Sequence, residues 1–255
     1  MPSIAKIPLK LYGVPLSQPF RSCAWTLLNL RVPFEIEMAV PGMSSKVGTK
    51  NENFQALTPH RSTQVPLLVD NNTGLVLTES PAIMSHACER YGTHNQLLAP
   101  SGSNQKALIN SYTHWHHSNT RFLAKIFQTK VRPDLKAVLN EEDHERIQTI
   151  LQNIDRGWLQ SSPYIGESET PSVADILAYG EISTLTMTNL LKVDEFENLS
   201  SWMNRMTQLP FHDVAHAALK ELGDLSQDKG VPIAKRLGPA TKAGLKAFAD
   251  AQQIP

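Results

Sequence analysis

In this 255-residue chain, strand-like segments occur only before Gly92, and that confinement limits the fold more than any other feature. KIPLKLYG (6–13) suits a strand, RSCAWTLLNLR (21–31) a helix, and VPFEIEMA (32–39) a strand in which Phe34, Ile36 and Met38 alternate with polar neighbours. After a polar stretch from Val40 to Gln64, VPLLVDNNTGLVLTES (65–80) reads as a hairpin with an Asn/Gly turn, and PAIMSHACERYG (81–92) as a helix. Beyond Gly92 apolar residues recur only at helical spacing, in segments 106–128, 141–160, 172–191, 199–208 and 211–222, with Pro133, Pro163, Pro171 and Pro210 falling between them.

A right-handed strand–helix–strand crossover followed by an antiparallel hairpin and a helix gives a small mixed sheet with helices packed on it, the thioredoxin-type layout. The expected fold class is therefore a thioredoxin-like α/β domain followed by an all-α domain. The expected divisions are a first domain over 1–92, a turn-rich linker over 93–104, a helical domain over 105–225 and a tail over 226–255. Within the tail, Pro239 to Gln252 reads as an amphipathic helix that could act as a lid.

Twenty-four basic and 24 acidic residues leave no net charge, so the expectation is neither a nucleic-acid nor a membrane partner. Two cysteines, Cys23 and Cys88, without CxxC spacing build neither a disulfide framework nor a zinc site. No targeting segment or membrane-length apolar run is read, and a cytoplasmic location is expected. His114 and His117 share a helical face, but nothing nearby completes a ligand set, so no metal is expected.

Three features of the first domain belong together. Ser17 stands where the first strand becomes a helix, as an N-cap or as part of an anion site built from helix amides. Val65-Pro66 opens a strand directly after a loop, which fits a cis bond that exposes the Val65 backbone to a ligand. In TESPAI (78–83), Ser80 fits an N-cap with Pro81 at the first helical position, and Glu79 and Ser80 together offer a clamp for the two ends of an α-amino acid.

In order and spacing these motifs resemble cytosolic glutathione transferases over residues 6–222, and LSQPFR (16–21) looks like the theta class. The resemblance implies that Ser17 is the catalytic hydroxyl, stabilising a glutathione thiolate that attacks an electrophilic carbon or a peroxide oxygen. It makes Val65, before Pro66, the partner of the cysteinyl backbone, and Glu79 with Ser80 the γ-glutamyl clamp. Arg121, six residues after Trp115, would stabilise negative charge at the sulfur site. The capping box Ser172/Asp175 in TPSVADI (170–176) matches the family and is structural.

The family also implies a homodimer, glutathione as co-substrate, and small alkyl halides or organic hydroperoxides as electrophiles. An interdomain electrophile site is expected from Val14, Leu16, Trp115, Phe122 and the tail around Leu245 and Phe248. Lys50, His60, Arg61 and Gln64 are candidates for the glycine carboxylate of glutathione, Lys50 and Gln64 preferred. The 40–64 loop is longer than the family pattern, with TPHRSTQVP (58–66) replacing its shorter stretch.

Tyr12 is the competing hydroxyl, set inside the strand. Ser22 and Cys23 read as ordinary residues of the helix body. The alternatives in other classes are a non-catalytic scaffold or carrier of apolar ligands on the same fold, opposed by the intact Ser17, Glu79 and Ser80, and a mixed-disulfide thiol transferase, which needs a cysteine at position 17.

Overall fold

The computed structural model describes residues 9–58, 64–93, 96–227 and 232–253. The first region runs β1 (Leu9–Gly13), α1 (Gln18–Asn29), β2 (Phe34–Met38), α2 (Glu52–Gln55), β3 (Leu67–Asp70), β4 (Leu75–Thr78) and α3 (Ser80–Tyr91). The four-stranded sheet has the order β2-β1-β3-β4, with β1 parallel to β2 and antiparallel to β3, and β3 antiparallel to β4. This is the expected crossover and hairpin. Leu9 and Leu11 point to a core shared with α1, while Tyr12 packs on Phe54 of α2, ring centroids 5.9 Å apart, so that its hydroxyl is not an alternative to Ser17 at the cleft described below.

The register collects one end of the sheet. Gly13 pairs with Met38, and Leu67 pairs with both Tyr12 and Thr78. The C-terminal ends of β1, β2 and β4 and the N-terminal end of β3 therefore lie at one edge. That edge carries Ser17, the 40–50 loop, Val65-Pro66 and Glu79.

The remaining described elements are helical: α4 (Asn104–Ser118), α5 (Ala124–Val131), α6 (Glu141–Asn153), α7 (Val173–Met187), α8 (Glu197–Met206), α9 (His212–Ala215), α10 (Ala217–Leu222) and α11 (Ile233–Ala251). Every residue of α7 from Val173 to Leu185 is buried, as an apolar helix without a polar face requires. α1 lies against α7, and Trp25 of α1 meets Tyr179, His212 and His216 at ring distances of 5.2–5.8 Å. His216 is held neutral, its pKa pushed well down by burial and by Arg21.

The tail helix departs from expectation. It begins at Ile233, before Pro239, which it carries in its interior, and its buried residues Ala240, Gly244, Phe248 and Ala251 join the core. Phe248 is fully buried, edge-on to Phe20 at 6.1 Å and near Phe34 at 6.4 Å. Gln252 accepts the Phe34 amide at 2.8 Å, which satisfies a donor on the outer edge of β2. Gly244 sits so close to the turn before α1 that a Cβ there would stand 2.6 Å from Pro15 Cβ and 2.9 Å from Ala218 Cβ. Among the described residues no helix is long and apolar enough to cross a membrane.

Candidate active site

Ser17 occupies the N-cap of α1 with extended backbone, yet its side chain makes no capping bond. Its amide donates to Val14 O at 2.9 Å and its carbonyl accepts from Arg21 N at 3.0 Å, so the turn is fixed by backbone alone. Pro19 has no amide to offer, which leaves those of Gln18 and Phe20 ahead of the first helical bond. A hydroxyl and helix amides without partners among the described residues converge at the head of α1.

This head opens on a cleft of about 560 Å³ between the sheet edge and the helices. Val14, Leu16, Ser17 and Arg121, all expected from the sequence, line it together. So do residues the sequence reading did not single out, including Gln18, Met38, Phe127 and Arg132, together with the loop Pro41–Gly42–Met43. Leu237 and Thr241 of α11 close one wall, placing the tail's contribution one to two turns before the expected Leu245 and Phe248.

Beneath the cleft lies a buried charge system. Arg121 Nη1 donates to Glu181 Oε1 at 2.7 Å and reaches Gln18 Oε1 at 3.5 Å. Glu181 is 2 % exposed, its second oxygen has no partner among the described residues, and burial pushes its pKa up against the pull of Arg121 and Arg21. Arg21, 1 % exposed, donates to Leu16 O at 2.9 Å and Gly180 O at 3.0 Å and also bonds Thr184 Oγ1. Burial lowers its pKa to about 10, with Glu181 opposing. One guanidinium thus ties the chain before Ser17 to the middle of α7. The available sequence signal was Glu181 itself, a lone acid in the otherwise uncharged run ILAYGEISTL (176–185).

Trp115 and Phe122 do not line this cleft. Trp115 packs at a tilt on Tyr112 at 5.7 Å and Trp158 at 5.8 Å beside a separate cavity of about 390 Å³. Phe122 lies under Arg146, whose Cζ is 4.1 Å from the ring centre. The reason is periodicity: Trp115 is on α4, and the helix breaks at Asn119, so the short 3₁₀ turn Thr120–Leu123 presents Arg121 to the cleft and its neighbour elsewhere.

Around the same sheet edge stand the remaining expected residues. The Val65-Pro66 bond is cis. Glu79 has φ +68° and takes the cap position, and Ser80 is the first residue of α3 rather than its N-cap, because the turn out of β4 is made one residue earlier than expected. Six other described non-glycine residues share a positive φ, so the backbone of Glu79 does not by itself mark a site. Ser80 is buried, its carbonyl accepting weakly from Cys23 Sγ at 3.8 Å. Lys50 and Gln64 are exposed; none of these six residues lines the 560 Å³ cleft itself. His60 and Arg61 lie outside the described residues.

Both cysteines are free and buried, and desolvation raises both thiols, Cys88 to about 12. His116 is buried and lowered to about 3, chiefly by desolvation, and no metal-binding group of histidine, cysteine or acidic residues occurs among the described residues.

The sequence matches the model of the glutathione S-transferase N-terminal domain over residues 11–96 and that of the C-terminal domain over residues 122–210. It is 31% identical over 169 residues to glutathione S-transferase 3 of Zea mays, covering 64% of this chain and 72% of that one. The chain belongs to the glutathione S-transferase family. Its relatives include the theta class: glutathione S-transferase theta-1 of Gallus gallus is 24% identical over 266 residues, covering 93% of this chain and 99% of that protein. The structure of human glutathione-S-transferase T1-1, a mutant in apo form, shares the fold with a TM-score of 0.69 at 21% identity, covering 93% and 99% of the two chains. The chain spans only 41% of the length of glutathione S-transferases T2 and T3 of Arabidopsis thaliana, to each of which it is 25% identical.

Proposed function

We propose that this glutathione S-transferase binds glutathione along the sheet edge that carries Val65, Pro66, Glu79 and Ser80. Lys50 and Gln64 are the proposed partners of the glycine carboxylate, and the thiol is directed to Ser17. The observation that carries the reading is the unused Ser17 hydroxyl, half-buried at the head of α1 and facing a cleft large enough for a small electrophile. A free thiol has a pKa of about 8.5, and lowering it by about two units takes roughly 2.7 kcal/mol. A hydrogen bond to a charged sulfur contributes about 1.5–3 kcal/mol, and a helix N-terminus adds up to about 1.

Ser17 is then a stabiliser of the thiolate and never a nucleophile. Arg121, anchored by Glu181, adds positive charge on the cleft side. The thiolate attacks an electrophile held against Val14, Leu16, Met38 and Phe127, forming a carbon–sulfur bond as the leaving group departs. Reduction of organic hydroperoxides uses the same thiolate, with oxygen as the atom attacked. The family's homodimeric assembly is part of the same proposal.

The test is a pH titration of thiolate absorbance for glutathione bound to the wild-type protein and to Ser17→Ala. A bound thiol pKa near 6–7 in the wild type, raised by more than one unit in the variant, supports the reading. Glutathione bound with an unshifted thiol would sink it.

A further inference from the structure

The large apolar side chains left in solvent are not scattered. Among the described residues Met43, Val47, Leu75, Leu135 and Val138 are exposed, at 48, 46, 36, 48 and 73 %. All but Leu75 lie on two segments, 40–50 and 130–139, which both contribute lining residues to the cleft, Met43 among them. The segments are adjacent there: a Cβ on Gly42 would stand 3.6 Å from Arg132 Nη2, and Pro41, Gly42, Met43, Arg132 and Asp134 line the cleft together.

The first segment and the second as far as Lys136 are held by internal bonds. In the first, Val40 N donates to Val47 O at 2.7 Å, Thr49 N to Val40 O at 3.1 Å and Lys50 N to Met43 O at 2.9 Å. Gly48 there lies so near the Met43 carbonyl that a Cβ would clash at 2.0 Å. In the second, Leu135 N donates to Arg132 O at 3.0 Å and Lys136 N to Pro133 O at 3.2 Å.

The unpaired charges on these segments are basic. Lys46, Lys130 and Lys136 are exposed, and none of them forms an ion pair among the described residues. The single acid in the two segments, Asp134, is held by Arg132 through two bonds of 2.8 and 2.7 Å. Zero net charge argued against a membrane partner, but it is a sum over the molecule and says nothing of how the lysines are distributed.

We propose that this rim is a docking surface for an anionic lipid membrane, with the cleft mouth facing the bilayer interface. The chemistry fits that occupant: apolar side chains enter the headgroup boundary while interleaved lysines meet anionic headgroups, each contributing about fivefold to partitioning. Docked so, the cleft is open to lipophilic molecules dissolved in the bilayer.

The experiment is co-flotation of the full chain with vesicles of phosphatidylcholine alone and with about 30 mol % phosphatidylserine. Partitioning on the order of a hundredfold higher onto the anionic vesicles at low salt is expected, falling steeply as salt is added. Lys46→Glu with Lys136→Glu should remove the preference, and Val47→Asp with Val138→Asp should weaken binding about tenfold or more. Glutathione conjugation measured without vesicles should not change in either variant, so failure of docking is distinguishable from failure of the catalytic reading. Equal binding to the two vesicle types, or variants that bind like the wild type, overturns the proposal. So does a drop in sedimenting mass in the variants, which would make the rim a contact between two copies of this chain.

Discussion

Two helices of this protein begin at a serine, and the two serines are used in opposite ways. Ser172 at the head of α7 is 3 % exposed, its hydroxyl accepts the Ala174 amide at 3.1 Å, and Asp175 in turn accepts the Ser172 amide at 2.8 Å. Ser17 at the head of α1 is half-buried beside the cleft and its hydroxyl caps nothing. A helix start needs its amides satisfied by something. Where the chain supplies the acceptor, the residue is structural; where it withholds one and leaves a cleft in front, the start is available to a ligand.

The comparison is broken most severely at the closed end. Asp175 accepts from Ile165 N, Ser172 N and Trp202 Nε1 at 2.8–2.9 Å and from Ser172 Oγ at 3.0 Å, holding α7, α8 and the loop before α7 together. Its burial raises its pKa to about 6 despite those donors. Asp175→Ala strands buried donors and should lower unfolding free energy by about 4 kcal/mol in a denaturant melt. An effect under about 1 kcal/mol would refute the structural role.

The two helices are joined by the Arg21–Glu181–Arg121 system, which gives the next prediction. Glu181→Gln removes the negative charge that Arg121 bonds and that acts on buried Arg21, and should destabilise by about 3 kcal/mol. It should also lower the pKa of a bound glutathione thiol, since the field beside the cleft becomes more positive. Ser17→Ala moves that pKa the other way and should reduce turnover about a hundredfold, worth roughly 2.7 kcal/mol of barrier, with glutathione affinity little changed. If both variants shift the thiol in the same direction, the assignment of hydrogen bond to one and field to the other is wrong.

Local chemistry explains what could be read from the sequence. Period-two alternation at Phe34, Ile36 and Met38, the Asn/Gly turn before Leu75 and the Ser172/Asp175 spacing are each carried by a few adjacent residues, and all of them stand in the structure. Ser17 was legible at its strand-to-helix junction, whereas Arg121 came from the family resemblance; the two share one cleft with Val14 and Leu16. The pattern failed where tertiary placement decides. Phe248 has the same helical spacing whether it covers a cleft or fills a core, and it is its contacts with Phe20 and Phe34 and the approach of Gly244 to Pro15 that show α11 lying on the first domain. Trp115 was misplaced because its orientation depends on where α4 breaks, at Asn119, and Glu181 was passed over because its partner Arg121 is 60 residues away in the chain. Glu181 is legible as a lone acid in an uncharged run, but the identity of a partner so far away in the chain is not.

The smallest expected effect is the sharpest test of the comparison, because it asks the same substitution at both serines. Losing a serine that caps a helix costs about 1 kcal/mol, so Ser172→Ala should lower unfolding free energy by about that amount and leave turnover per folded molecule unchanged. Ser17→Ala removes no capping bond, so its stability should stay within about 0.5 kcal/mol of the wild type even as turnover falls. Parallel denaturant melts and kinetics on the two variants would separate the roles completely if each moves only its own readout. A Ser17→Ala protein destabilised as much as Ser172→Ala would mean that the hydroxyl caps α1 in solution, and a capped Ser17 would have its oxygen engaged by the helix rather than free for a thiolate.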